Sequence, residues 1–165
     1  MSSQKAVFAG SFDPPTNGHI DIIERVSPQF EKLLVVVAAN QRKKSLFSAE
    51  ERADLFRETL KKLIQKKKVE VFVYDGLLVD FCKKHGVKTL IRGLRTIADF
   101  EGELQMATMN RKLAPNIETF HVMTDQKYAL VSSTLIKELA HFKADLKEWV
   151  PVVVAKSLQR KLAAK

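Results

Sequence analysis

The stretch Ala6-Val7-Phe8-Ala9-Gly10-Ser11-Phe12-Asp13-Pro14-Pro15-Thr16-Asn17-Gly18-His19 decides the fold. Its first four residues form an uninterrupted apolar run, the pattern of a strand covered on both faces in a parallel sheet. Gly10 lets the backbone pass close to a ligand, and Pro14 and Pro15 bar both helix and ladder pairing across the turn. Asn17 is a good N-cap, and Ile20, Ile23 and Val26 then recur at helical spacing, which puts Gly18 and His19 in the first turn of a helix. That turn carries free amides and the positive end of a dipole, so an anion is its natural ligand. An imidazole beside it suggests phosphate chemistry.

Outward from this unit the alternation continues. Leu33 to Ala39 reads as a second strand, and the polar loop Asn40 to Ser45 follows at its carboxyl end, where open α/β sheets bind ligands; Lys43 is thereby placed for a phosphate. Ser48 and Glu51 make a capping box, after which Leu55, Phe56, Leu60, Leu63 and Ile64 give one helix its apolar stripe. Val69 to Tyr74 is a third strand, and Leu77 to His85 a short helix stopped by Gly86. Lys88 to Ile91 is a fourth strand delivering Arg92-Gly93-Leu94-Arg95, two arginines able to grip phosphate from fixed forks.

Thr96 to Ala114 reads as a long helix with two apolar stripes, Phe100-Leu104-Ala107 and Met106-Met109-Leu113. The domain's own core is expected to cover one of them, which leaves the other for a second subunit. Ile117 to Met123 is the fifth strand, with His121 expected to be a satisfied structural histidine. Val131-Ser132-Ser133-Thr134 opens another helix, whose hydroxyls and amides suit phosphate, and Val152 to Leu162 is a basic helix behind Pro151. Right-handed crossovers between five alternating strands and helices predict an α/β fold, a doubly wound five-stranded parallel sheet in a single domain over 1–165.

At 165 residues, 45% apolar and 28% charged, the composition is that of one globular domain. No apolar run approaches the roughly 20 residues of a membrane span. Met1 to Lys5 lead straight into the first strand, so a cytoplasmic protein without a signal peptide is expected. Cys82 is the only cysteine, which excludes an internal disulfide, a thiolate zinc cluster and a redox pair, and it is expected to be a small core hydrophobe. The net charge of +9 is compatible with nucleic acid, phosphorylated metabolites or solubility; of its clusters, only 42–44 and Arg92 with Arg95 stand where a site would lie.

The motif Gly-x-Phe-Asp-Pro-x-Thr-x-Gly-His over Gly10 to His19 resembles the first signature of the nucleotidyltransferase superfamily related to class I aminoacyl-tRNA synthetases. Val131-Ser132-Ser133-Thr134 with Lys137 resembles its second signature, with valine at the first position and lysine at the last. Taken with Lys43-Lys44 and Phe47, Glu50-Glu51-Arg52, Ile91 to Arg95, Ala98 to Glu101, and Met109-Asn110-Arg111, nearly the whole chain resembles the bacterial phosphopantetheine adenylyltransferase family.

That resemblance implies a Rossmann-like nucleotidyltransferase domain, assembled as a homohexamer of two stacked trimers. It also implies transfer of the adenylyl group of ATP to 4'-phosphopantetheine, giving dephospho-coenzyme A and pyrophosphate, with magnesium; no carboxylate cluster in the sequence presents itself as a cage, so the metal is expected to be carried on ATP phosphates. Carried over by position, it makes His19 the transition-state stabiliser and puts Ser11, Phe12, His19, Gly93, Leu94, Arg95, Glu103, Tyr128, Ala129, Leu130, Val131, Ser132, Ser133 and Thr134 on ATP. Ser11, Lys43, Leu78 and Arg92 fall to the phosphopantetheine side. Ser11 replaces the usual threonine and keeps its hydroxyl, while Gly102 stands where a tyrosine is common. Two other readings are weighed: a nicotinate mononucleotide adenylyltransferase, which shares the first signature, and a basic nucleic-acid-binding module, which explains the charge and leaves the ordered motifs unexplained.

Overall fold

β1 (Lys5–Gly10) is the central strand of a parallel sheet, in a computed structural model that describes residues 4–39 and 44–163. Its neighbours are β2 (Lys32–Ala38) and β4 (Thr89–Leu94), with β3 (Val69–Tyr74) and β5 (Glu118–Met123) at the edges, in the order β3-β2-β1-β4-β5. Successive side chains of a strand point to opposite faces, so the continuous apolar runs supply both layers of core. On one face Phe8, Leu33, Val35 and Val37 pack with Ile22 and Ile23 of α1 (Asn17–Val26) and Phe56 of α2 (Ala49–Thr59). On the other, Val7, Ala9, Leu34 and Val36 pack with Val79, Phe81 and Cys82 of α4 (Leu78–His85), which ends at Gly86 with φ +66°.

The strand order reverses between β1 and β4. There the ladder stops at Phe8–Ile91, while β1 and β2 stay paired as far as Gly10–Val37. The carboxyl ends of β1 and β4 therefore part, and a doubly wound sheet binds its ligands in such a crevice. A third cluster closes the domain beyond it: Leu55 of α2, Ile136 of α6 (Ser133–His141), and Val154 and Leu158 of α7 (Val152–Ala163) pack around Phe47 and Leu146.

Three expectations are corrected. The single helix with a stripe running to Ile64 is two, α2 and α3 (Lys61–Gln65), because Leu60 leaves the helical region at φ −94° and ψ 15° while its side chain stays buried. The long helix α5 (Ile97–Leu113) has neither stripe covered: Phe100, Leu104, Met106, Met109 and Leu113 are all between 46% and 55% exposed, and Asn110 is its one buried residue. It packs against β4 and β5. His121 is not satisfied; its Nε2 is buried without a hydrogen-bond partner among the described residues, and its ring meets the edge of Phe100.

Because α7 packs through fully buried Val154 and Leu158 on α2 and α6, it should unfold with the sheet rather than before it. Leu158→Ala is expected to cost about 2–5 kcal/mol, read as a lower urea midpoint of one unchanged cooperative transition. A separate early transition would show that α7 is not part of the folding unit.

Candidate active site

At the end of β1 the chain turns through Phe12, whose φ of +51° lies in the left-handed region at a cost of roughly 1–2 kcal/mol. Packing holds it there. The ring is 4% exposed and meets Phe56 at 4.8 Å, His19 at 4.9 Å and Phe8 at 5.3 Å between centroids. A Cβ on Gly10 would lie 2.9 Å from this ring, so the glycine makes room for Phe12. The next peptide, Asp13–Pro14, is cis.

Asp13 is 6% exposed and fully engaged: its carboxylate accepts the amides of Leu46 and Phe47, each at 2.9 Å, and the Lys137 ammonium at 2.9 Å. Burial works against its charge, but the Phe47 and Leu46 amides and Lys137 prevail and hold its pKa below the ordinary value.

Thr16, not Asn17, is the N-cap of α1. Asn17 is drawn off to the segment before α7: its amide donates to Trp149 carbonyl at 2.8 Å and its side chain to Glu148 carbonyl at 2.9 Å. His19 still falls in the first turn, as the third helical residue. The Thr16 N–H donates to His19 Nδ1 at 3.0 Å, and the Thr16 hydroxyl stands 3.0 Å from the same nitrogen. An Nδ1 that accepts an amide proton carries none itself, so the neutral ring bears its proton on Nε2. Burial, with the positive charges of Arg95 and Arg92, pushes the imidazole pKa down to about 3. His19 is therefore a neutral Nε2–H donor lining the cavity.

That cavity, about 370 Å³, lies between the parted ends of β1 and β4 and under the N-termini of α1 and α6. Ser132 caps α6 by accepting the Leu135 amide at 3.0 Å, and the Ser133 hydroxyl donates to Pro14 carbonyl at 2.7 Å, which fastens the helix to the turn. The amides of Gly18, Ser133 and Thr134 have no acceptor among the described residues. Arg92 grips Glu103 with two hydrogen bonds of 2.7 Å and donates to the Ala9 carbonyl, one residue beyond the end of the β1–β4 pairing. Arg95 holds Asp99 at 2.8 and 3.0 Å and reaches Val131 carbonyl at 3.1 Å. Burial opposes the Asp99 charge, yet its hydrogen bonds with Arg95 lower its pKa.

Of the residues singled out from sequence, the cavity wall gathers Ser11, Phe12, His19, Arg92, Gly93, Arg95, Glu103, Val131, Ser132, Ser133 and Thr134. Leu94 is buried behind it, and Tyr128 stands at its margin, its Cβ 3.3 Å from where a Cβ on Gly18 would be. Ala129 follows Tyr128 outside the wall, and Leu130 is 83% exposed. Leu78 packs against the core around α4, away from the cavity. Lys43 lies outside the described residues. Sequence reading gave no role to Thr16, Asp13, Asp99 or Lys137, all on the wall. The spacing of three between Thr16 and His19 is that of a capping box, and it was the available signal for the first.

A model of a cytidylyltransferase-like family matches residues 7–139. Phosphopantetheine adenylyltransferases of Staphylococcus haemolyticus and Staphylococcus saprophyticus are each 48% identical over 161 residues, 98% of this chain and 98% of theirs. Among solved structures, a Vibrio parahaemolyticus protein described as a nicotinate-nucleotide adenylyltransferase superposes with a TM-score of 0.68 over 95% of this chain and 99% of that one, at 17% identity.

The electrostatics of His19 give a measurable outcome. With its pKa near 3 in the folded protein, against about 6.5 unfolded, the unfolded chain binds more protons between those values. Stability from this group therefore rises with pH through that window and is lost as pH falls below about 6.5. Long-range proton–nitrogen NMR should show protonated Nε2, bare Nδ1 and no titration of this ring from pH 8 to about pH 5. A ring that titrates near 6.5 would refute the assignment.

Proposed function

The chain belongs to the cytidylyltransferase-like family, and on that footing we propose that it transfers the adenylyl group of ATP to 4'-phosphopantetheine, forming dephospho-coenzyme A and releasing pyrophosphate. The observation that carries the reading is full-length identity of 48% to enzymes of that name. The nicotinate mononucleotide alternative shares the first signature, and the likeness to a nicotinate-nucleotide adenylyltransferase at 17% identity supports the fold alone. The nucleic-acid-binding alternative offers no account of the oriented donors that converge on the cavity around His19.

The chemistry asks little beyond alignment and charge neutralisation. A phosphate monoester has its second pKa at about 6, so the acceptor arrives largely dianionic and its oxygen can attack the α-phosphorus without a base. The bond from that phosphorus to the bridging oxygen breaks, and pyrophosphate leaves with the electron pair. In this reading His19 donates its Nε2 proton in a hydrogen bond to the transferring phosphoryl, and the open amides of α1 and α6 support the same charge. Arg92 and Lys43 serve the phosphopantetheine phosphate. Arg95, Glu103, the backbone of Gly93 and Leu94, and the segment Tyr128 to Thr134 serve ATP, with Leu78 toward the pantetheine arm.

Magnesium enters as part of the nucleotide substrate. The wall carboxylates are already committed, Asp13 to amides and Lys137, Asp99 to Arg95 and Glu103 to Arg92, so water and ATP phosphates supply its ligands. We place the enzyme in the cytoplasm; among the described residues no helix is long and apolar enough to cross a membrane.

Pyrophosphate release from ATP, magnesium and 4'-phosphopantetheine tests the activity, and no turnover in that assay would overturn it. His19→Ala is expected to lower kcat on the order of 100-fold with little change in KM for ATP, since its hydrogen bond strengthens as charge builds on the phosphoryl. A raised KM with unaltered kcat would make His19 a ground-state binder only.

We also propose a homohexamer of two trimers. The uncovered stripes of α5, which packs on edge strand β5, and the 53% and 56% exposed Phe120 and Met123 of that strand give apolar surface that suits burial against a second copy. Sedimentation velocity at micromolar concentration should show a species near six times 18.7 kDa. A monomer would refute assembly, and a dimer or trimer would refute the number.

A further inference from the structure

We propose that Arg52 is a positioning residue for the nucleotide: its guanidinium fixes the Ser11–Phe12 peptide so that the Phe12 N–H faces the cavity. The proposal rests on the adenylyl-transfer reading for what occupies that cavity.

Arg52 lies in the first turn of α2 and is only 3% exposed. No carboxylate stands within ion-pair distance of it among the described residues. Instead Nε donates to the Ser48 carbonyl at 3.2 Å, and Nη1 donates to the Ala38 carbonyl at 3.1 Å and to the Ser11 carbonyl. Burial lowers its pKa, opposed by the more distant charge of Asp13. Burying a cation without a paired anion is expensive, so this arginine is a poor device for stability. Its three acceptors belong to the turn after β1, the end of β2 and the N-cap of α2. A planar fork can hold such directions at once, and an ammonium cannot reproduce it.

The consequence follows from peptide geometry. In a planar trans peptide the carbonyl and the N–H point in opposite directions, and Asp13–Pro14 is the one cis bond of the described chain. Drawing the Ser11 carbonyl inward onto Arg52 thus turns the Phe12 N–H the other way. That amide has no acceptor among the described residues, and Phe12 lines the cavity. The opposite orientation would bring Phe12 from φ +51° into the extended region and relieve its strain, but it would set a carbonyl oxygen before a polyphosphate. Arg52 opposes that flip.

The test compares wild type, Arg52→Ala and Arg52→Lys by titration calorimetry with magnesium-ATP and by the amide NMR signal of Phe12. In wild type this signal should move on adding ATP. In Arg52→Ala, ATP affinity should fall at least about tenfold, the loss of a hydrogen bond to a charged ligand, and the signal should cease to respond. Millimolar guanidinium should restore both, which a merely structural lesion would not allow. Arg52→Lys decides the matter if the alanine variant does not fold; it should lose affinity without rescue by guanidinium. Wild-type affinity in either folded variant, or a Phe12 amide that responds as before, would overturn the proposal. Wild type that fails to bind ATP would count against the adenylyl-transfer reading itself.

Discussion

The Asp13 carboxylate accepts two amides from the segment entering α2 and the ammonium of Lys137 on α6, and so ties together three parts of the chain that are far apart in sequence. A carboxylate this deeply buried is tolerated only with its acceptor capacity filled, so the three parts must arrive together or the charge is stranded. The same turn is held from behind by aromatic packing on Phe12 and from the side by the Ser133 hydroxyl on Pro14. Two helix N-termini consequently converge on one cavity. Neither helix could present its amides there alone, since α1 is aimed by the turn and α6 by Lys137 and Ser133.

The arginines of the site rest on carboxylates of a single helix. Asp99 and Glu103 are four residues apart in α5, on one face, and they hold Arg95 and Arg92 respectively. Bidentate pairing keeps each fork oriented in the absence of ligand, when an unpaired, half-buried guanidinium would sample other directions. A phosphate binding there competes with a carboxylate rather than with water alone. Charge exchange of this kind costs weakly charged ligands more than dianionic ones, which suits a site meant for two polyanions.

Much of this was legible in the sequence because its strongest signals are local. The uninterrupted apolar runs Ala6 to Ala9 and Leu33 to Ala39 identify strands covered on both faces of a parallel sheet, and a proline-stiffened turn between strand and helix places His19 to within a residue. The Ser48–Glu51 capping box stands as read. What escaped was decided by tertiary contacts. Asn17 has the better intrinsic claim to the cap, yet Trp149 and Glu148 outbid it and the cap passes to Thr16. Leu60 breaks a stripe that is continuous on paper. The two stripes of α5 gave no hint that neither would be covered, because periodicity reports which residues share a face and not what lies opposite it. Arg52 shows the same limit: its carbonyl partners carry no side-chain signature at all.

Cys82 sits at 0% exposure in the layer between α4 and the sheet, and burial raises its thiol pKa to about 12. Disulfide exchange requires a thiolate with access to its partner, and this sulfur has neither. The pantetheine arm ends in a free thiol, and so does the dephospho-coenzyme A made from it. An enzyme that handles such molecules at every turnover would be exposed to capture as a mixed disulfide whenever they became oxidised. With its single sulfhydryl sealed in the hydrocarbon interior, this chain is chemically inert toward its own metabolites, and its catalysis is insulated from the redox state of the pool it feeds.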